Sequence, residues 1–516
     1  MPFGDATPLN PAYFLDRAAK IFAERTAVID GARGFSYREF GQRAHRLAGL
    51  LRGAGLQPGD RVAALCPNSH VMLELHNAAP MSGCALVPIN VRLSPREIAY
   101  ILENSGARLL IASEEFAETA RPVCAAASVR LIVAGDDSSE YEVLLRSADA
   151  LPTVPVDELS LLAVNYTSGS TGYLKGVMCT HRGAYLQALA MAFHARLGLD
   201  SAYLWTLPMF HCNGWCFTWA VTAAGAVHIC QRQIDPAAIW SALRSGSVTH
   251  LCAAPTVLTM IAEAAASSGG HELSHEVHAF TGGAPPTPAL LARLAALHLR
   301  VTHLYGLTET YGPSVINVWQ PEWTAKSENE KARLNARQGV GNVVTRDVSV
   351  IDAAGNEVPA DGETLGEIAI RGNNVTVGYY NDEAATRAAQ CGEWFRTGDL
   401  GVRYPDGYIE LRDRAKDIII TGGENVASVE IERALAEHPA VLEAAVVGRP
   451  DERWGEIPVA FIVLRPGMSA TGEALIEFVA GRIARFKAPR EIRFEELPKT
   501  STGKIQKYIL RQRFTP

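Results

Sequence analysis

The sequence lacks a cysteine framework. Its nine cysteines are scattered over 516 residues, an odd number with no C-x-x-C pair. That argues against a disulfide scaffold and for a reducing compartment, so a cytoplasmic location is expected. Charge of one sign is also lacking: 48 basic against 55 acidic residues leave a net −7. So mild a balance offers no global attraction for nucleic acid or an anionic membrane, and any anionic ligand needs a local site. From Leu204 to Gln231 the chain carries no Asp, Glu, Lys or Arg, but Pro208, His211, Asn213, Gly214 and His228 interrupt the run. A membrane span needs about 20 mostly apolar residues in sequence, so buried core around a pocket is expected there instead. The opening MPFGDATPLN has neither the basic start nor the apolar core of a signal peptide. No internal repeat or low-complexity tract is present.

Hydrophobic residues make up 48% and charged residues 20%, which excludes wholesale disorder. At roughly 150 residues per domain, three or four folding units are expected. Through the first 300 residues short apolar runs alternate with helical patterns. RVAALC (61–66), CALVPI (84–89), ARLLIAS (107–113) and VRLIVAG (129–135) read as buried parallel strands, with helices between them. THLCAAP (249–255), EVHAFTG (276–282) and VTHLYG (301–306) continue the pattern. This is α/β architecture, doubly wound, with ligands at the loops beyond the strand ends. After about residue 340 hairpin signals take over, as in VRYPDGYIELRD around Asp406-Gly407. After Arg414 a compact α+β pattern of about 100 residues follows, with the boundary near Asp413–Lys416.

Four segments carry chemistry. The first is YTSGSTGYLKG, 166–176, behind an apolar strand and ahead of a helix. Its small hydroxyl residues and glycines let backbone N–H groups approach phosphate closely, and Lys175 supplies charge. It is not the Walker pattern, because Leu174 precedes Lys175 and Gly176 follows it; nor does G-x-G-x-x-G follow the first strand. The second is HLYGLTET, 303–310, in which Tyr305 offers a flat face for a purine and Thr308 with Glu309 offers oxygens for Mg²⁺ and phosphate. The third is RTGD, 396–399, whose Asp399 can accept from ribose hydroxyls. The fourth is PKTSTGKIQ, 498–506, with Lys504 on a glycine-marked loop. Taken singly, the last three are as readily a solvated helix start, a β-turn aspartate and a solvated lysine.

Taken together, in order and spacing, the four segments resemble the adenylate-forming superfamily of acyl-CoA synthetases, luciferases and peptide-synthetase adenylation domains. MFHCNGW (209–215), YGLTETYGP (305–313) and LNARQG (334–339) are similar to the short-chain and aryl acid–CoA ligases, including plant acyl-activating and methylmercaptopropionate–CoA ligases. The resemblance implies a large N-terminal AMP-binding domain, 1–413: two doubly wound subdomains and a small β-barrel (about 340–413). A small mobile α+β domain, 414–516, follows.

It also implies roles. Thr167, Ser168, Gly169, Ser170, Thr171, Gly172 and Lys175 hold the β- and γ-phosphates of ATP, with Thr308 near phosphate and Glu309 on Mg²⁺. Gly283, Ala284, Pro285, Tyr305 and Gly306 flank the adenine. His303 stands where the family more often has Asp or Asn facing the adenine amino group. Asp399 and Arg414 bind ribose, Lys504 is the catalytic lysine, and Lys416 is the hinge. Gly422 and Gly423 line the pantetheine tunnel of coenzyme A. His211 borders the acid's carboxylate, and Gly282, Gly306 and Trp215 complete the acyl pocket, unless Trp215 is core.

The implied reaction joins an acid to AMP and then to the CoA thiol. A carrier-protein-loading enzyme, a luciferase-type oxygenase and an inactive binding protein remain as alternatives, and a homodimer is left open. A zinc site among His211, Cys212, Cys216, His228, Cys230, His250 and Cys252 is disfavoured by its spacing.

Overall fold

The computed structural model describes residues 7–168, 174–270, 272–283, 286, 288–414, 417–421, 424–451, 453–499 and 505–514, with backbone alone at 168, 288, 328, 329, 332, 336, 414 and 425. Of the expected site residues, Gly169, Ser170, Thr171, Gly172, Ala284, Pro285, Lys416, Gly422, Gly423 and Lys504 lie outside the described residues, as do the side chains of Ser168 and Arg414.

Four apolar runs near the N-terminus form parallel strands, in the spatial order Arg130–Ala134, Leu109–Ser113, Arg61–Leu65 and Ala85–Pro88. The crossover helices are set by their ends. Ser94 caps Pro95–Ser105 by accepting from the Glu97 N–H, Pro95 opens that helix, and Gly106 closes it with φ +62°. The sheet is extended by Leu161–Ser168 and then by the antiparallel strand Leu174–Thr180.

A second sheet of nine strands has a parallel centre, Ala202–Trp205, His250–Cys252, Val277–Thr281 and Leu299–Leu307. The two sheets share one apolar core: Val62 and Leu86 of the first join the cluster containing Trp205, Phe280 and Leu304 of the second. Residues alternate faces along the second sheet. Phe280 and Leu304 face that shared core, while Ala279 and Val301 pack in a separate cluster on the opposite face.

The β-rich part is antiparallel. Asp347–Ile351 pairs with Gly366–Arg371, which pairs with the ten-residue strand Trp394–Arg403. Both Gln390–Cys391 and Ile409–Arg414 then pair with that long strand. Ile409 also bridges antiparallel to Gly339, next to strand Val340–Gly341, so the pairing continues beyond the long strand's partner into the expected β-rich subdomain.

Beyond it, Ile419–Thr421, Glu424–Val426, Val441–Asp451, Gly455–Leu464 and Glu491–Phe494 form a fourth sheet. Helices Ser428–Ala436 and Gly472–Ala480 cover it, with a core of its own around Ile431, Leu435, Val446 and Leu475. The uncharged stretch becomes strand Ala202–Trp205, helix Phe217–Ala224 and strand Val227–Cys230. No described helix is long and apolar enough to cross a membrane.

Candidate active site

The parallel strands of the second sheet end at Thr281 and Leu307, and the first three segments meet around these ends. Thr308–Thr310 makes a single 3₁₀ turn directly after strand Leu299–Leu307. Thr308 is thereby buried and Glu309 half-buried.

The first segment arrives from the other sheet. Thr167 lies opposite Lys175 in the antiparallel pair flanking 169–173. Segment 376–380 then lies along the outer side of strand Leu174–Thr180. The Met178 N–H donates to the Gly378 carbonyl at 3.0 Å, and the Tyr380 N–H to the Gly176 carbonyl at 2.7 Å.

That docking delivers Tyr379, a residue the sequence did not single out. Its hydroxyl donates to Glu309 Oε1 at 2.8 Å, and the Lys175 ammonium stands 5.1 Å from its ring centroid. Burial and the Glu309 charge both raise the phenol above its ordinary range, so the proton stays on Tyr379. The Thr376 N–H also donates to the Glu309 carbonyl at 2.6 Å. Lys175, Tyr379, Glu309 and Thr308 therefore form one continuous array. Its oxygens are hard donors of the kind Mg²⁺ takes, and one Glu309 oxygen already accepts from Tyr379.

Beside Thr308, the thiol of Cys212 donates to Thr308 Oγ1 at 3.2 Å and lies 3.9 Å from His211 Nε2. Burial pushes that thiol up to about 12, so it acts as a neutral donor. Residues Cys212, Asn213, Gly214, Trp215 and Cys216 all have positive φ, between +49° and +61°. Five consecutive left-handed residues, four of them non-glycine, cost on the order of 4–8 kcal/mol. Only a fixed surround sustains such strain. The surround consists of the Cys212–Thr308 bond, the Cys216 thiol donating to the Tyr311 carbonyl at 3.7 Å, and Thr218 Oγ1 donating to the Asn213 carbonyl at 3.1 Å.

Trp215 is thereby wedged between two glycines. A Cβ at Gly312 would lie 3.0 Å from its Cδ1, and one at Gly282 would lie 3.1 Å from its Cη2. Gly306, also expected in the pocket, permits the tight hairpin that follows: a Cβ there would sit 2.0 Å from the Gly312 carbonyl oxygen.

The opposite face of the same strand ends is polar. Tyr305 donates its hydroxyl to Asp399 Oδ2 at 2.8 Å across 94 residues, and both are buried. Asp399 in turn lies opposite Arg414 in the hairpin register. His303 is buried and paired in register with Thr281. Its Nδ1 and the Thr281 hydroxyl are both buried without a hydrogen-bond partner. Burial lowers the imidazole to about 4, against a hydrogen bond to the Arg337 main chain that works the other way. It is neutral at physiological pH. Gly283, in the same strand-end turn, has φ +86°.

The histidines and cysteines of the disfavoured zinc site have other occupations. His228 accepts from the Trp205 indole at 3.1 Å and meets Thr222 Oγ1 at 3.0 Å, and His250 Nε2 meets the Ala195 carbonyl at 2.9 Å. No group of three or more metal-binding side chains occurs among the described residues. Tyr379 and Thr281, and the bond of Cys212 to Thr308, escaped the sequence because the partners lie far along the chain or, for Thr281, because only strand pairing shows its face.

Comparison with known proteins follows this geometry. The family described as AMP-binding enzyme matches residues 15–380, and the AMP-binding enzyme C-terminal domain matches 430–504. An acetate–CoA ligase of Humulus lupulus is 42% identical over 98% of this chain and 94% of its own length. An acetate/butyrate–CoA ligase of Arabidopsis thaliana, described as peroxisomal, is 41% identical with the same coverage. Among solved structures, ATP-bound MatB from Rhodopseudomonas palustris superposes with a TM-score of 0.86 at 27% identity, covering 98% of this chain and 99% of that one. A benzoate CoA ligase from Burkholderia xenovorans also gives 0.86 at 27% identity, over 97% and 99%.

Proposed function

The chain belongs to the AMP-binding enzyme family, and we propose, from that premise, which residues perform the acid–CoA ligation and which acids are ligated. The enzyme is an AMP-forming acyl-CoA synthetase that uses ATP, Mg²⁺ and coenzyme A. The observation that carries the assignment of roles is the continuous array Lys175–Tyr379–Glu309–Thr308–Cys212–His211, which joins a phosphate-side lysine to an acyl-side histidine.

A carboxylate is a poor electrophile, because attack on it piles charge upon charge. The first half-reaction removes that obstacle: the carboxylate oxygen attacks the α-phosphorus of ATP, and pyrophosphate departs with the P–O bond electrons. Two anions must meet, so cationic and hydrogen-bond-donating groups are required at the junction. Lys504 is assigned there, with Lys175 and the 167–172 loop on the β- and γ-phosphates. Glu309, oriented by the Tyr379 hydroxyl, and Thr308 would hold Mg²⁺, which neutralises the charge developing on pyrophosphate. In the second half-reaction the CoA thiol attacks the acyl carbon and AMP leaves. Lys416 is assigned as the pivot that brings the loop of Gly422 and Gly423 in place of Lys504.

His303 reads the base in its own way. Its ring gives a hydrogen bond to the Arg337 main chain, so a neutral imidazole has its other nitrogen, Nδ1, free as an acceptor for the adenine amino group. An Asp or Asn oxygen would present the same acceptor. Tyr305, Gly283, Ala284 and Pro285 flank the ring, and Asp399 with Arg414 takes the ribose.

The relatives' substrates, together with the tightly packed strand ends, favour a short-chain acid with its carboxylate beside His211. Free CoA is the acceptor, with a carrier protein the rival. All nine cysteines are unpaired and eight are buried, which supports a reducing compartment, the cytoplasm.

The test is incubation with MgATP, CoA and acids from acetate to octanoate, benzoate and cinnamate, with chromatography of nucleotides and mass analysis of thioesters. AMP and an acyl-CoA are expected. Pyrophosphate exchange without thioester would assign a carrier protein as acceptor, and ADP would overturn the adenylate route. In the same assay Lys504→Ala should lose about 10²–10³ in adenylation, with thioester formation from preformed acyl-adenylate retained. Equal loss of both would remove Lys504 from the first half-reaction.

A further inference from the structure

We propose that the buried amide cluster of Gln187, Asn342 and Asn374 is the positioning element for the metal side of this site, setting where Glu309 stands against Lys175 by fixing the segment that carries Tyr379. The inference rests on the reading of Glu309 as the Mg²⁺ carboxylate and deepens it.

Three elements of the site meet in the cluster. Gln187 lies on helix His181–Ala195, which starts directly after the strand carrying Lys175. Pro313 and Ser314 belong to strand Gly312–Ile316, which follows the turn of Thr308 and Glu309. Asn374 precedes the segment that brings Tyr379. The Gln187 side-chain nitrogen donates to the Pro313 carbonyl at 2.7 Å, and its oxygen accepts from Asn342 Nδ2 and from Asn374 Nδ2, each at 3.1 Å. Asn342 Nδ2 also donates to the Pro313 carbonyl at 2.8 Å, and Asn374 Nδ2 to Ser314 Oγ at 2.9 Å. Next door, Asn373 Oδ1 accepts from Arg182 Nε of the same helix at 3.2 Å. Gln187, Ser314, Asn342 and Asn374 are all buried.

An amide offers donors and an acceptor without charge, so one cluster can serve a carbonyl, a hydroxyl and other amides inside the protein. A buried network whose members are satisfied rigidifies its surround and specifies one geometry. From cluster to site the chain is short and tied down. The Thr376 N–H reaches the Glu309 carbonyl at 2.6 Å, and Thr376 Oγ1 donates to the Met178 carbonyl at 2.8 Å. Asn374 thus fixes where segment 376–380 begins, and Tyr379 then meets Glu309 Oε1 at 2.8 Å. Groups that orient a metal-binding carboxylate change metal affinity or activity by about 10–100-fold when lost. Being buried, the three amides act through Tyr379, which makes them positioning residues.

The experiment measures by calorimetry the affinity for α,β-methylene ATP, with Mg²⁺ and with EDTA, in wild type, Asn374→Ala, Gln187→Met and Tyr379→Phe. Asn374→Ala should bind about tenfold more weakly with Mg²⁺ and as well as wild type in EDTA. Adenylation, read as pyrophosphate exchange, should fall by a similar factor. Thiolysis of preformed acyl-adenylate should be retained, because pyrophosphate and its metal have no part in it. Added to Tyr379→Phe, the alanine should cost less than about twofold more, because both changes release the same contact. Gln187→Met keeps the shape without the hydrogen bonds and carries the test if the alanine variant does not fold. Equal weakening with and without Mg²⁺, parallel loss of both half-reactions, or losses that multiply in the double variant would each overturn the positioning role while leaving the ligase reading intact. Wild-type affinity indifferent to Mg²⁺ would overturn the metal role of Glu309 and this inference with it. No acid-dependent exchange from wild type would overturn the ligase reading as well.

Discussion

At the scale of single residues, the site is built from side chains whose protonation is fixed by burial. His303 is neutral because no charge compensates its desolvation, and its unpartnered Nδ1 is a ready acceptor. His303→Leu should raise KM for ATP by about tenfold, the worth of one such hydrogen bond. His303→Asn should restore most of the loss, and the preference of ATP over GTP should fall only in the leucine variant. Steady-state kinetics with both nucleotides check this, and an unchanged ATP/GTP preference would remove His303 from base reading. Tyr379 is the complementary case, a phenol whose proton is held for Glu309. Tyr379→Phe removes a donor to a carboxylate and should slow adenylation about tenfold, measured as pyrophosphate exchange. Because the variant keeps the ring beside Lys175, unchanged exchange would mean that the ring alone matters.

At the scale of elements, a short turn and a hairpin end set what can move. Strand Ile409–Arg414 ends where the expected hinge begins. Its Asp413 Oδ2 accepts from both the N–H and the hydroxyl of Ser428, at the head of helix Ser428–Ala436. Lys507 donates to the same hydroxyl at 2.6 Å and pairs with Glu432 at 2.7 Å. The strand end, that helix and the C-terminal helix Lys507–Gln512 are thus joined through one serine. The rotation proposed at Lys416 would have to work against these bonds. Lys416→Pro, which fixes φ near about −65°, should therefore damage thioester formation while partly sparing adenylation. The two half-reactions, assayed separately by exchange and by thiolysis of preformed acyl-adenylate, decide it, and parallel loss would indicate misfolding.

At the scale of the whole molecule, the N-terminal helices are tied together by buried charge. Arg43 pairs with Glu74 at 2.5 Å and with Glu142 at 2.7 Å, and the Tyr141 hydroxyl donates to Glu74. His70 Nδ1 meets Asp30 Oδ2 at 2.6 Å. Burial alone would raise the Glu142 carboxyl, but His70 and Arg43 bring it down to about 2. Asp30 is likewise lowered, burial being outweighed by His70 and Arg232. Burial works to lower His70, yet Asp30 and Glu142 hold it above its ordinary value. The carboxylates' contribution is present above their unfolded values and is lost as pH falls through the lowered folded ones. The histidine's contribution is present below about 6.5 and is lost as pH rises through its raised folded value. Tm should therefore fall in acid, from about pH 4.5 towards 2, and decline more gently above about 6.5. Glu142→Gln should lower Tm near neutrality, leaving Arg43 half-paired, and flatten the acid limb. A Glu142→Gln curve parallel to wild type would place the acid sensitivity elsewhere.

The sequence by itself determined the elements and the chemistry. Period and punctuation are local properties, so buried parallel strands such as Arg61–Leu65 and Leu109–Ser113, and the hairpin turning at Asp406-Gly407, were legible from their own residues. The four segments named the reaction through their resemblance, in order and spacing, to the adenylate-forming superfamily, since singly three of them read as readily as a solvated helix start, a β-turn aspartate and a solvated lysine. Tertiary structure alone decided how these segments meet. Tyr379 reaches Glu309 because segment 376–380 docks on a strand about 200 residues away. Thr281 and His303 share a face only through strand register, and five consecutive residues turn left-handed because Thr308, Tyr311 and two distant glycines hold them there. Such contacts are long-range pairings whose free energy resides in neither partner, so no local pattern records them.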